Sequence, residues 1–388
     1  MARLGRGRMR EEDDFTAKSV FVNRPERSLD SPLRVIIILF GLIIFGIWLF
    51  PNFYWPNTKT GRPGIDEKMT ESSEQAKEAN PLEAQNEESG QEQEKADQYL
   101  SDIKVGEELM VAVAECPIYN SEGLDSTRVS SALLAEKLRV ITVRERGDRL
   151  LGTLEDGTNG WFDIANLTRD FSISEPEGLV STVMVKQSMK RVMSHSIAGN
   201  VLMDVPMGTI LYADYSGADI MRLRLPGKQE GWVSQAGLSP LDEEEDGVDE
   251  EERKRFFASS AMNFYGSRYL PGGMSKEGAD MAGVVFISAR VNGLTLPRNL
   301  EEQAKMGQSA EIIRDVTSNL PRPSLFEVGD VLYFHDGSSR KKISFAAVML
   351  EKSKALTCLP NDSTLVLRDL EQETDLLTRL VTVRRFFP

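Results

Sequence analysis

The chain of 388 residues is long enough for about two to four domains of ordinary size, and its 40% apolar content is compatible with folded cores. Its net charge of −14 sits in two stretches: residues 66–97 carry eleven Asp/Glu and three Lys, residues 242–255 carry nine Asp/Glu and three Lys/Arg, and the remainder balances to about zero. That distribution leaves no basic face for nucleic acid, and two cysteines (Cys116, Cys358) with two histidines (His195, His335) argue against a disulfide framework and leave little material for a metal site or a Cys/His dyad; no cofactor is expected.

Residues 1–34 are polar, with eight Lys/Arg against six Asp/Glu, and are expected to form a cytoplasmic tail. Val35 to Phe50 is an uninterrupted run of 16 apolar or Gly residues. As a helix it reaches about 24 Å, short of a ~30 Å hydrocarbon core. Continuing through Phe53, Tyr54 and Trp55 completes the span and adds an interfacial aromatic belt. A cleavable signal fits less well, since the preceding region is long and no Ala-x-Ala site follows. Residues 35–55 are therefore expected to be a single-pass transmembrane signal anchor. The basic start places the N-terminus in the cytoplasm and the bulk of the chain outside. Residues 56–102, rich in Glu, Gln, Lys, Ser and Asn, are too polar to offset chain entropy by burial and are expected to be an acidic flexible linker.

Two similar segments follow, over 103–172 and 178–240. Each contains a Gly-Trp pair, Gly160-Trp161 and Gly231-Trp232, that opens a W-x-x-x-A-x-L run ending at Leu167 and Leu238. Short alternating runs such as 138–143 and 221–225, separated by Gly, Asp and Asn turns, predict small all-β units. They resemble bacterial SH3-like barrels, in which a Gly-Trp pair opens a late strand. Trp161 and Trp232 are expected to be core residues closing a small barrel, with direct ligand contact as the alternative. Residues 241–255 are expected to be a second acidic linker, leaving a last domain over 256–388.

That domain opens on Tyr269-Leu-Pro-Gly-Gly-Met-Ser-Lys-Glu-Gly-Ala-Asp-Met-Ala-Gly283. A Gly-Gly turn, a polar loop and an acidic residue leading into the apolar run 284–287 predict a glycine-rich approach to a buried helix capped by Asp280. Further on come Leu296-Pro-Arg298, a capping pair Asn299 and Glu302 with Gln303 in the same helix, Gly329-Asp-Val-Leu-Tyr-Phe334, Ile343-Ser-Phe-Ala-Ala-Val-Met-Leu350 and a closing Val383-Arg-Arg-Phe386.

Over about 125 residues these motifs resemble, in order, those of the NlpC-type cell-wall peptidases. The resemblance implies a papain-like α+β domain, so the expected fold class is multidomain: a transmembrane helix, two small all-β SH3-like barrels and a C-terminal α+β papain-like domain. The family's chemistry uses a Cys thiolate at a helix N-terminus, a His on a strand and a polar orienting group on the next strand. Carried over position by position, these are Met281, Phe345 and Thr357, with Pro271 and Ala282 also departing from the motif. A thioether cannot form an acyl intermediate and Phe cannot accept a proton, so a pseudoenzyme is expected. A rebuilt dyad from Cys358 and His335 is disfavoured, because Cys358 adjoins Thr357 on one strand and the two point to opposite faces.

The residues kept around the motif are candidate ligand contacts: Tyr269, Gly272, Gly273, Ser275, Asp280 and Arg298. Each has a plainer use as a helix cap, a turn glycine or a structural ion pair. The ligand class implied by the resemblance is peptidoglycan or its stem peptides. An adaptor for another envelope protein is the alternative, and an active γ-D-glutamyl–diamino acid endopeptidase the weakest reading.

Overall fold

The computed structural model describes residues 102–388, apart from 124, 145–146, 242–248, 340–341 and 388. The expected cytoplasmic tail, membrane span and most of the first linker lie outside the described residues.

The first segment forms β1 (Glu108–Val111), β2 (Glu115–Tyr119), β3 (Arg128–Leu133), β4 (Lys137–Thr142), β5 (Arg149–Leu154), β6 (Asn159–Asp163) and β7 (Leu167–Thr168). The second forms β8 (Ser181–Val185), β9 (Met189–Met193), β10 (Val201–Pro206), β11 (Ile210–Ser216), β12 (Ile220–Leu225), β13 (Gln229–Ser234) and β14 (Leu238–Pro240). The first antiparallel sheet runs β3-β2-β6-β5-β4-β1-β7 and the second β10-β9-β13-β12-β11-β8-β14, the same order strand for strand. The internal similarity of the sequence is therefore a repeat of topology.

The Gly-Trp pairs have a common cause. At Gly160 any Cβ would run into Ile118 of β2, and at Gly231 into Val192 of β9, so glycine lets the crossing strand close over the core. Alternation then turns each Trp to the outer face. Phe162 and Val233 take the core positions, while Trp161 and Trp232 are half-buried outside them.

The rest comprises helix α1 (Glu250–Met262), a hairpin of β15 (Met274–Ser275) and β16 (Gly278–Ala279), helices α2 (Met281–Arg290) and α3 (Leu300–Gln303), strands β17 (Gln308–Ser309), β18 (Val331–His335), β19 (Ile343–Glu351), β20 (Lys354–Thr357) and β21 (Val366–Asp369), helix α4 (Thr374–Thr378) and β22 (Leu380–Arg385). Its antiparallel sheet has the order β17-β22-β18-β19-β20-β21. One face carries α1 and α2 through Phe257, Val284, Ile287, Tyr333, Ala346 and Val348. The other face, with Phe334, Ala347, Met349 and Leu370, forms a separate core.

The expected fold class is corrected here. The described chain is mostly antiparallel β-sheet with few helices, and the described residues fall within one compact unit. The two seven-stranded sheets end at β3 and β7, and at β10 and β14, rather than closing by pairing into small barrels. Among the described residues no helix is long and apolar enough to cross a membrane. The physical reason for the single unit lies in shared cores. The end of β3 sends Leu133 into the core under α2, and the turn after it sends Leu134 and Ala135 into the core of the second sheet. Met184 of β8 and Met207, in the turn after β10, also reach the core under α2.

Candidate functional site

The site is built around the N-terminus of α2. Asp280 caps it, its Oδ1 accepting from the Gly283 amide at 2.8 Å, while Oδ2 accepts from the Gly272 amide at 2.7 Å. One carboxylate thus ties the Gly-Gly turn to the helix start. Burial pushes the Asp280 carboxyl up, against the pull of the backbone amides of Gly283, Gly272 and Ala282. Gly272 has φ +68°, and a Cβ there would stand 2.6 Å from the Ser130 amide nitrogen and the Val129 carbonyl carbon. Only glycine combines that backbone conformation with so close an approach to β3. Gly273 and Gly283 face one another, since a Cβ on Gly283 would meet the Gly273 carbonyl. Ser275 is buried in the β15–β16 hairpin, and Tyr269 is half-exposed, its phenol pushed up by burial and by Asp280 and Cys358 nearby.

The first sheet forms the wall opposite this turn. Ser131 Oγ donates to the Gly272 carbonyl at 2.8 Å and Arg128 Nε to the same oxygen at 3.3 Å. Arg128 also pairs with Glu115, whose Oε1 accepts from the Met274 amide at 3.4 Å. The rim of the motif is therefore hydrogen-bonded to edge strand β3.

Arg298 is the centre of that interface. Its side chain is 4% exposed. Nε donates to Asp156 Oδ2 at 2.6 Å, Nη2 to Glu136 Oε2 at 2.8 Å and Nη1 to the Ser131 carbonyl. It also stacks over the Phe286 ring at 4.5 Å. Glu136 takes a second ion pair from Arg290. Burial tends to raise the Asp156 carboxyl, but the charge and hydrogen bond of Arg298 prevail and hold it below the usual carboxylate range. Sequence reasoning missed Glu136, Asp156, Ser131 and Arg128, because their partners lie more than 140 residues away.

The catalytic positions carried over from the resemblance do not meet. Met281 is the first residue of α2, is buried, and packs in the core on the helix-bearing face of the sheet. Phe345 pairs across from Phe334 and packs with it on the opposite face. Thr357 lies opposite Ala347 and donates its Oγ1 to the Ala346 carbonyl at 2.7 Å. It is Leu356 and Cys358 that share the core with Met281. The Cys358 thiol is buried among the carbonyls of Leu359, Asp362 and Thr364, and burial pushes it up to about 11. His335 accepts the Gly337 amide on Nδ1 at 3.0 Å. Among the described residues no group of His, Cys, Asp and Glu is arranged to hold a metal.

Other motif residues hold the frame. Gln303, fully buried, donates to the Ala282 and Pro297 carbonyls at 3.0 and 2.8 Å, clamping the Leu-Pro-Arg loop to the start of α2. Arg385 holds fully buried Asp330 at 2.8 and 3.0 Å, which explains both the Gly-Asp and the Arg-Arg motifs as one ion pair. Trp161 and Trp232 sit away from this turn, on the outer faces of their own sheets.

No family model and no curated protein matches the chain. Among solved structures, a NlpC/P60 family protein from Bacillus cereus aligns with a TM-score of 0.60 at 14% identity, covering 73% of this chain and 100% of that one. A NlpC/P60 endopeptidase from Photobacterium damselae subsp. piscicida aligns at 0.48 and 12% identity over 74% of each chain. NlpC2 from Trichomonas vaginalis aligns at 0.34 and 13% identity, over 74% of this chain and 100% of that one. The chain has an NlpC-type fold, and at this level of identity the likeness is one of fold.

Proposed function

We propose that the chain is a non-catalytic envelope protein that uses an NlpC-type fold to bind peptidoglycan stem peptides or to target the wall. The observation that carries this reading is the first residue of α2. At the position where the resemblance expects a thiolate, the side chain is the buried thioether of Met281, which has no proton to lose. The two thiols of the chain offer no substitute. Burial pushes Cys116 up to about 12 and Cys358 up to about 11, so both stay protonated at neutral pH. Loss of a nucleophile costs several orders of magnitude in rate. Co-sedimentation of the full-length chain with purified sacculi tests the binding, and absence of retention above a control protein would end it.

Residues 35–55 are proposed to hold the chain in the inner or cytoplasmic membrane of a bacterium, N-terminus inside, on the strength of the run Val35–Phe50 and the arginines before it. Alkaline extraction of membranes should leave the chain in the pellet, and its release would refute the anchor.

A second reading, an adaptor for another envelope protein, is supported by the outer face of the second sheet. Tyr215, Arg222, Trp232, Met193 and Val201 are successive cross-strand partners over five strands. Tyr215 and Trp232 rings lie 5.9 Å apart, and Tyr215 and Val201 are about half exposed. Cross-linking in intact cells separates the two: one dominant protein adduct without sacculus retention favours the adaptor.

A further inference from the structure

Away from the Gly-Gly turn, where both small sheets meet the C-terminal half of α2, lies a cavity of about 430 Å³. Its size falls among small-molecule sites, which run to roughly 300–1,000 Å³. The floor is apolar: Leu134, Met184, Ile210, Phe286 and Leu294. The charged lining is balanced, with Lys137, Arg290 and Arg298 against Glu136, Glu155 and Asp156. Four of these six are committed to one another, through the Arg290–Glu136–Arg298–Asp156 chain of ion pairs. That leaves Lys137 and Glu155 at the cavity with no ion-pair partner among the described residues.

Lys137 opens β4 and Glu155 directly follows the end of β5, and these two strands pair with Leu138 opposite Leu154. They bring one cation and one anion to the same end of the cavity without closing on each other. The Lys137 ammonium lies 5.9 Å from the Phe171 ring centre. Tyr212 also lines the cavity, its phenol pushed up by burial and by Glu155 and drawn back by Arg290. A net-neutral wall with separated open charges over an apolar floor is complementary to a small zwitterion with an apolar side chain.

We propose that this junction cavity binds a short peptide with both termini free. Glu155 with the Tyr212 hydroxyl would receive the ammonium, Lys137 the carboxylate, and the floor an apolar side chain. Because three parts of the fold line the cavity, an occupant would fasten them together. The inference is independent of wall binding, since any short peptide of that chemistry satisfies it.

The test is isothermal titration of the full-length chain with the dipeptide alanyl-leucine, its N-acetyl form and its C-terminal amide. Saturable one-to-one binding is expected for the free dipeptide, weakened by about tenfold for either capped form, as loss of a charge-assisted hydrogen bond implies. Glu155→Gln should weaken the free dipeptide by a similar factor and leave the N-acetyl form unchanged. Thr295→Trp, an exposed residue at the cavity, should abolish binding while leaving the thermal transition in place. Absence of saturable binding to the wild-type chain, equal affinity for capped and free peptides, or full binding by Thr295→Trp would each overturn the proposal. Sacculus retention is read separately, so failure of one result leaves the other standing.

Discussion

Replacing Arg298 by Met tests the claim that the first sheet is part of the site wall. The substitution keeps an apolar chain of comparable reach over Phe286 and removes the hydrogen bonds to Asp156, Glu136 and Ser131. Removing one partner of a buried pair costs about 3–5 kcal/mol when the other is stranded. Here Glu136 keeps Arg290 and the Asp156 side chain is 21% exposed, so the lower end applies, about 3 kcal/mol. In urea that corresponds to a fall in midpoint of about 1 M at a slope of about 3 kcal/mol/M.

The pH dependence sharpens the test. The folded carboxyl of Asp156 is held below its ordinary value, so its contribution is present above the unfolded pKa and is lost as pH falls through the folded one. The wild-type chain should therefore lose stability relative to Arg298→Met as pH falls below about 4, and the gap between them should narrow. Urea unfolding followed by tryptophan fluorescence measures both. An unchanged midpoint at neutral pH, or a gap that does not narrow in acid, would refute the reasoning.

Three further outcomes are expected. Neither Cys116 nor Cys358 should react with a thiol reagent at pH 8 in the folded chain, because burial raises them to about 12 and about 11; both should label in urea, and fast stoichiometric labelling of the native chain would contradict the assignment. Gly272→Ala should lower stability by about 1–3 kcal/mol, since it combines a positive φ with contact against β3. Thermal unfolding of this variant beside Gly227→Ala, whose φ is +73° but whose Cβ would meet open space, isolates the contact. Phe162→Ala should cost about 3–5 kcal/mol as a core truncation and Trp161→Ala clearly less, read as urea midpoints; equal costs would reverse the inside-out assignment of the strand.

What the sequence carries plainly is whatever depends on neighbours along the chain. The Asp280 cap, the Gly-Gly turn and the Asn299 cap all follow from spacings of a few residues, and the two Gly-Trp repeats announce one topology used twice. What stays hidden depends on register and on distant partners. The face taken by Phe345 is set by its pairing with Phe334, and a slip of one residue would reverse it. Arg298 reads equally well as ligand contact or ion pair until Glu136 and Asp156 are folded beside it. The Trp residues were open to a core reading because size suggests burial, yet the small Gly before each marks the crowded side of the strand.

The most direct measurement is co-sedimentation of the detergent-solubilised full-length chain with purified sacculi, with the supernatant assayed for released stem-peptide fragments. The proposed function expects retention well above a control protein of similar charge, with no fragments released. Passage of the chain into the supernatant, or release of fragments that Cys358→Ala abolishes, would contradict it.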